Sequence, residues 1–208
     1  MRSYKFTLAI SAAMSVSTFA HAGNTLDMLG LVNGGSTYTE TISDAPLNVT
    51  NANVYAGPFN ASYDGGSTIQ VYCVDILDET QFNVLTPVAV QNTAGLTSNY
   101  QNAARLLNAF GASANGNLLD EAGLQVAIWK TVFPDLAYTD FWQAGVTTQA
   151  NYYLGQNVSN YSDKANFYNY NGANQNMMGT VATPEPAPVM ALGLGVFGVG
   201  ILRRRRKA

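Results

Sequence analysis

Apolar and polar residues alternate in short runs along the first part of the chain, and further on the spacing changes. Residues 28–60 carry short alternating runs broken by Gly, Asn and Pro, which predicts several strands joined by turns. The clearest strand is predicted over 67–76, with Ile69, Val71 and Cys73 on its inward face. A second strand is predicted over 81–90, where Pro87 favours a strand end or a sheet edge.

Helical spacing begins near residue 98. Ser98 is a candidate N-cap and Gly111 a stop signal, so a first helix is predicted between them. A second helix is predicted from Asn117 and ends before Pro134, and a third over 147–155. Residues 166–178 predict a turn between two short strands. The pattern indicates an α+β fold, a β-sandwich or barrel with a small helical insertion.

The N-terminal residues 1–22 have the pattern of a secretory signal peptide. Arg2 and Lys5 precede a mostly apolar run, and Ala20-His21-Ala22 matches the small-x-small cleavage pattern. We therefore expect residues 1–22 to be removed and residues 23–182 to form one extracytoplasmic domain, a length that suits a single core.

The C-terminal residues 183–208 contain a Pro-Glu-Pro turn, an apolar stretch and a basic cluster, in that order. Residues 187–202 are uncharged, and these 16 residues would rise roughly 24 Å as a helix, which predicts a single transmembrane span in a thin bilayer. The basic residues should hold this end on the cytoplasmic side, so the domain should lie outside the inner membrane. The membrane stop is predicted at Arg203, Arg204, Arg205 and Arg206.

This tail resembles the PEP-CTERM sorting signal of Gram-negative bacteria, with Pro184, Glu185 and Pro186 as the motif. In that family the membrane protease-transpeptidase exosortase is thought to recognise the motif, remove the tail, and release or reattach the protein. The resemblance implies exosortase as a processing partner and only transient contact with the inner membrane. It also implies a final location at the cell surface or in the extracellular matrix, and it leaves the activity of the domain open.

Charge and histidine content exclude several functions for residues 23–182. The segment has three basic and twelve acidic residues, which argues against nucleic acid as a partner. The only histidine is His21, so the mature chain lacks the usual general base and the commonest metal ligand. We therefore expect no catalytic residues of a conventional enzyme, no metal and no cofactor. Asp75, Asp78 and Glu79 fit no calcium-loop spacing and are interpreted as a solvated turn.

The only cysteine and one glutamine stand out in otherwise apolar positions. Gln125 lies at the centre of a helical stripe, and Cys73 lies on the inward face of its strand. Two interpretations stay open for this pair. Either both residues pack in the core, or the thiol attacks the glutamine amide and expels ammonia to leave an internal thioester. The remaining members of the stripe are Leu118, Ala122, Trp129 and Val132.

The sequences "YCVD" at 72–75 and "LQVAIW" at 124–129 are similar to the motifs of bacterial surface thioester domains. The resemblance implies that Cys73 supplies the thiol and Gln125 the acyl group. It also implies that four neighbours form the pocket, namely Tyr72, Asp75, Ala127 and Trp129. An adhesive function then follows, with covalent capture of a nucleophile on extracellular polysaccharide or a surface protein. The alternative is a non-covalent structural component of a biofilm matrix, with Cys73 and Gln125 as core packing.

Overall fold

The computed structural model describes residues 24–32, 39–140 and 144–181. The predicted signal peptide at 1–22 lies outside the described residues, and so does the sorting signal at 183–208. The strands in the described ranges are β1 (Thr25–Leu31), β2 (Thr39–Asp44), β3 (Val49–Tyr55), β4 (Phe59–Tyr63), β5 (Thr68–Cys73), β6 (Leu85–Pro87), β7 (Ala89–Asn92), β8 (Ala137–Asp140), β9 (Ala165–Asn169) and β10 (Met177–Thr180). The helices are α1 (Ser98–Ala114), α2 (Leu118–Val132) and α3 (Val146–Leu154).

Seven of the strands form one antiparallel sheet that curls back on itself. Its order is β6-β1-β4-β5-β10-β9-β7. The two edge strands β6 and β7 follow each other in the chain and are separated only by Val88. This short connection brings the two edges of the sheet together, so the sheet resembles a nearly closed barrel. The α+β fold predicted as a β-sandwich or barrel with a small helical insertion is confirmed in part, since the described residues are mostly β with a barrel-like sheet and a few helices.

A second, smaller sheet contains three strands in the order β3-β2-β8. Strand β2 is central, and Glu40 on it pairs with Asp140 on β8. The alternating pattern at 28–60 predicts the strands of this region up to β4. Strand β8 was not predicted, because four residues after a proline are too short a run to show a period.

The three helices lie in the chain between β7 and β9, which agrees with the predicted helical insertion. Helix α2 begins where the Asn117 side chain accepts hydrogen bonds from the N–H groups of Leu119 and Asp120. It ends at Val132, just before Pro134, as the sequence predicts. No helix within the described residues is long and apolar enough to cross a membrane. The predicted span at 187–202 falls in the part that is not described.

Several predicted boundaries are wrong. The single strand at 81–90 is two short strands, because Leu85 pairs with Asp27 on β1 while Val90 pairs with Tyr168 on β9. Helix α1 starts at Ser98 with Thr97 in the cap position, and it continues through Gly111 to Ala114.

The stripe predicted on α2 underestimates the burial of that helix. Every residue of 121–129 is buried, because α2 packs between α1 and α3 and also contacts β5. This packing places the middle of α2 over the end of β5, where Cys73 lies.

Candidate functional site

The main chain of Cys73 lies at a point where the barrel-like sheet loses a strand partner. On one side of β5, Val74 donates a hydrogen bond to the Asn176 carbonyl at 2.9 Å. Because bonding directions alternate along an antiparallel ladder, the N–H and C=O of Cys73 point to the opposite side. Strand β4 begins there at Phe59, opposite Val71, and does not reach Cys73. The two polar groups of Cys73 therefore need another partner.

The side-chain amide of Gln125 supplies that partner. The Cys73 N–H donates to Gln125 Oε1 at 3.1 Å, and Gln125 Nε2 donates to the Cys73 carbonyl at 2.8 Å. Both residues are buried, with 1% of Cys73 and 0% of Gln125 exposed. The amide thus acts as a short substitute for a strand, and the two residues of the predicted pair are in direct contact.

The Cys73 thiol is held in its protonated form. It donates to the Asp75 carbonyl at 2.6 Å, and the Asp75 N–H approaches Sγ at 3.4 Å. Burial raises the pKa of Cys73 to about 12, helped by the charges of Asp75 and Asp78 and opposed by the Asp75 main chain and the Trp129 indole. Cysteine reacts as a nucleophile and binds metals in its deprotonated thiolate form. Because Cys73 is protonated at rest, its thiol is weakly reactive. Burial by itself therefore protects this thiol from oxidation.

A cleft of about 530 Å³ opens beside Cys73 and Trp129. Aromatic rings form much of its wall, and acidic side chains lie along it. No Lys or Arg of the described residues lines it. Its lining includes Tyr55, Phe59, Phe82, Trp129, Asp78 and Glu79.

A polar network fixes the segment between β5 and β6 that borders this cleft. The Asp75 carboxylate accepts from Asn176 Nδ2 at 3.0 Å, and the Asp75 carbonyl accepts from Gln175 Nε2 at 3.2 Å. Thr80 donates to Gln175, and the Gln81 N–H donates to Asn174 Oδ1 at 3.0 Å. The loop 75–81 is thereby joined to the loop 174–176, nearly a hundred residues later in the chain.

The residues of loop 174–176 were not predicted from the sequence to belong to the site. Their only signal is the amide-rich run "ANQN" between the two predicted strands, which also fits an ordinary turn.

The acidic residues Asp75 and Asp78 are neighbours, and the pKa of Asp78 is raised by burial and by the Asp75 charge. Within the described residues, no group of three potential ligands could hold a metal ion.

The remaining predicted pocket residues lie in different places. Trp129 lines the Cys73 cleft one turn after Gln125, whereas Tyr72 lines a separate groove with Gln70 and Asn115. Tyr72 is turned away from Cys73 because successive side chains on a strand point to opposite faces. Ala127 is fully buried, and its position two residues after Gln125 turns it to another face of α2. Of the predicted set, Cys73, Gln125, Asp75 and Trp129 come together.

Comparison with known proteins identifies one part of the chain. Residues 182–207 match the family model of the PEP-CTERM protein-sorting motif. This match includes Pro184, Glu185, Pro186 and the predicted membrane-stop arginines, all of which lie outside the described residues. The motif indicates an exported protein that exosortase processes and that a C-terminal membrane anchor holds before processing.

The domain itself finds no relative in the other comparisons. No curated protein matches the chain, and no solved structure matches it. The resemblance to surface thioester domains receives no support from these comparisons. The hypothesis of a Cys73–Gln125 bond therefore rests on the motif residues and on the geometry around them.

Proposed function

We propose that the protein is a surface or matrix adhesion module that captures its partner covalently through an internal thioester between Cys73 and Gln125. Each molecule would react once, so the process is a capture and not a catalytic cycle. The partner would be an extracellular polysaccharide or a surface protein that bears a nucleophile. The PEP-CTERM motif supports delivery of such a module to the outside of the inner membrane.

The observation that supports this proposal best is the paired hydrogen bond between the Gln125 amide and the Cys73 main chain. It holds the amide carbon of Gln125 against the residue that carries the thiol, in a site without exposed surface. The Cys73 N–H already points at Gln125 Oε1, the oxygen on which negative charge would develop during attack on the amide. The adjoining cleft offers a route for an incoming nucleophile.

Thioester formation and thioester opening each exchange one bond at the side-chain carbonyl carbon of Gln125. The Cys73 sulfur bonds to the Gln125 side-chain carbonyl carbon, the carbon–nitrogen bond breaks, and ammonia leaves with the thiol proton. A partner amine or hydroxyl then bonds to the same carbon, and the carbon–sulfur bond breaks. The electron pair returns to sulfur, which takes up the proton lost by the nucleophile and becomes a thiol again.

A second candidate function is a non-covalent structural role in the extracellular matrix. The same hydrogen bonds favour it, since the Gln125 amide is satisfied on both its polar atoms and the thiol bonds to Asp75. In that case Gln125 completes the end of β5, and Cys73 is a small buried residue.

Methylamine labelling distinguishes the two functions. Covalent capture predicts addition of one methylamine at Gln125, with one thiol released at Cys73, and no addition to Cys73→Ala. Peptide mapping by mass spectrometry locates the added group. An unlabelled Gln125 in freshly folded wild-type protein would support the structural role instead.

The sorting step is tested separately. Replacing Glu185 with Ala should leave protein with its C-terminal residues intact in the inner-membrane fraction, because exosortase would no longer recognise the motif. Immunoblotting of membrane and extracellular fractions measures this. Normal processing of Glu185→Ala would contradict recognition through this motif.

A further inference from the structure

The Trp129 indole is the one aromatic group of α2 beside the thiol. Trp129 follows Gln125 by one helical turn, so both side chains lie on the same face of α2. It is 3% exposed and lines the cleft together with Cys73.

The indole N–H of Trp129 has no hydrogen-bond acceptor among the described residues, although it is buried. An indole N–H can only donate, and buried donors without a partner are rare because they lose their bond to water. Trp129 also acts on the thiol, since it lowers the pKa of Cys73 against the effect of burial. Because Trp129 and Cys73 line the same cleft, this unpartnered donor lies near a sulfur atom that would become a better acceptor if it gained negative charge.

We propose that the Trp129 indole N–H stabilises the Cys73 sulfur whenever negative charge develops on it. The functional role of this donor rests on the proposed thioester. Negative charge would develop on the sulfur when the sulfur attacks Gln125, and again when a nucleophile displaces the sulfur from the thioester. Hydrogen bonds to an ionised partner are about twice as strong as neutral ones, so the donor would act mainly in these charged states.

Two donors lie near the sulfur, and only one of them belongs to a side chain. The Asp75 N–H, 3.4 Å from Sγ, is a main-chain hydrogen bond of ordinary length for sulfur, and it is present whatever residue stands at 129. The carboxylates of Asp75 and Asp78 disfavour the thiolate because they carry the same charge. Trp129 thus supplies the side-chain donor at the reacting atom.

The variant Trp129→Phe removes the N–H and keeps an aromatic ring. Its test is the rate of iodoacetamide alkylation of free Cys73 at fixed pH, in unreacted or methylamine-opened protein. Loss of the donor should slow alkylation roughly tenfold, equal to one pKa unit. A mere packing defect would admit reagent and speed alkylation, so the two effects have opposite signs.

The control is Tyr161→Phe, which removes a phenol oxygen from an exposed position outside the cleft and should leave the rate unchanged. An unchanged or faster rate in Trp129→Phe would overturn the proposal. The alkylation rate requires only a free Cys73 thiol, so this test remains valid even if no thioester forms. Where a thioester does form, its opening by methylamine should also be slower in Trp129→Phe.

A second measurement keeps wild-type Trp129 and covers the case in which Trp129→Phe does not fold. The Trp129 indole proton resonance should lie further downfield in Cys73→Ser than in Cys73→Ala, because the serine hydroxyl offers an acceptor and alanine offers none. Identical resonance positions in the two proteins would contradict the contact.

Discussion

Gln125 takes the place of a missing strand beside Cys73. Its side-chain amide accepts from the Cys73 N–H and donates to the Cys73 carbonyl, at 3.1 and 2.8 Å. The same two bonds complete the end of β5 and hold an amide carbon next to a thiol. The structural and the chemical interpretations of the pair therefore depend on one contact.

Replacing Gln125 with Ala should destabilise the domain by about 2–6 kcal/mol relative to wild-type protein in which no thioester has formed. The change leaves the N–H and C=O of Cys73 buried without partners, and each such group costs about 1–3 kcal/mol. Urea unfolding measures the loss. The control is Gln156→Ala at an exposed position just after α3, where the expected change is within about 0.5 kcal/mol. Equal stabilities for the two variants would show that the paired bond does not support β5.

The network between loops 75–81 and 174–176 should depend on Asn174, which is 2% exposed. In Asn174→Ala the Gln81 N–H loses its acceptor, so loop 75–81 should open more often. Hydrogen exchange of the amides in this loop is expected to become about tenfold faster. Asn157→Ala, which changes an exposed turn, serves as the control, and the prediction fails if both proteins exchange alike.

Gly123 should be required for the packing of α3 on α2. A Cβ atom at this position would lie 2.7 Å from Gln149 Cβ and 3.2 Å from the Ala150 nitrogen, so α3 would have to move. We expect Gly123→Ala to lower the free energy of unfolding by about 1–3 kcal/mol despite the higher helix propensity of alanine. Thermal unfolding compares it with Gly95→Ala, where nothing lies within 4 Å. A Gly123→Ala protein as stable as wild type would show that α3 adapts freely.

The stability of the domain should depend on pH because of Glu40, which lies in the second sheet. This carboxyl group is fully buried, and its oxygens find no hydrogen-bond donor among the described residues. Burial, followed by the charge of Asp140, raises the pKa of Glu40 from 4.5 to about 7. The folded state then holds the Glu40 proton more tightly than the unfolded state, so the contribution of Glu40 to stability is greatest below pH 4.5 and decreases as the pH rises towards 7.

Glu40→Gln should remove this part of the dependence, which we expect to be on the order of 3 kcal/mol. Urea unfolding across this pH range measures the difference between wild type and variant. The exposed residue Glu79 provides the control, because Glu79→Gln should keep the wild-type slope. A wild-type slope in Glu40→Gln would show that other groups cause the decrease.

The contact between Cys73 and Gln125 could be anticipated because each position follows from local periodicity. The strand pattern turns Cys73 inward, and the helix pattern buries Gln125. The paired bond could not be predicted, because it depends on where β4 begins relative to β5. In the structure β4 begins at Phe59, directly after Gly57 and Pro58, and Phe59 pairs with Val71.

The rest of the site was missed for a similar reason. Asn174, Gln175 and Asn176 lie beside loop 75–81 because β10 pairs with β5 in the folded sheet, so nothing near Cys73 in the sequence indicates them. Asp75 was predicted to flank the thiol, but its hydrogen bond to Sγ is made by the main-chain carbonyl, which every residue type possesses. The identity of residue 75 in the sequence therefore gives no indication of this contact.

The central claim is that Cys73 and Gln125 form a thioester, and intact mass tests it most directly. The intact mass of freshly purified exported protein should be lower by one ammonia than the mass calculated from its processed sequence. Cys73→Ala and Gln125→Ala should each show the full calculated mass. Methylamine should then increase the wild-type mass by one methylamine and expose one thiol. Full mass in fresh wild-type protein, together with a thiol that alkylates after denaturation alone, would contradict the claim.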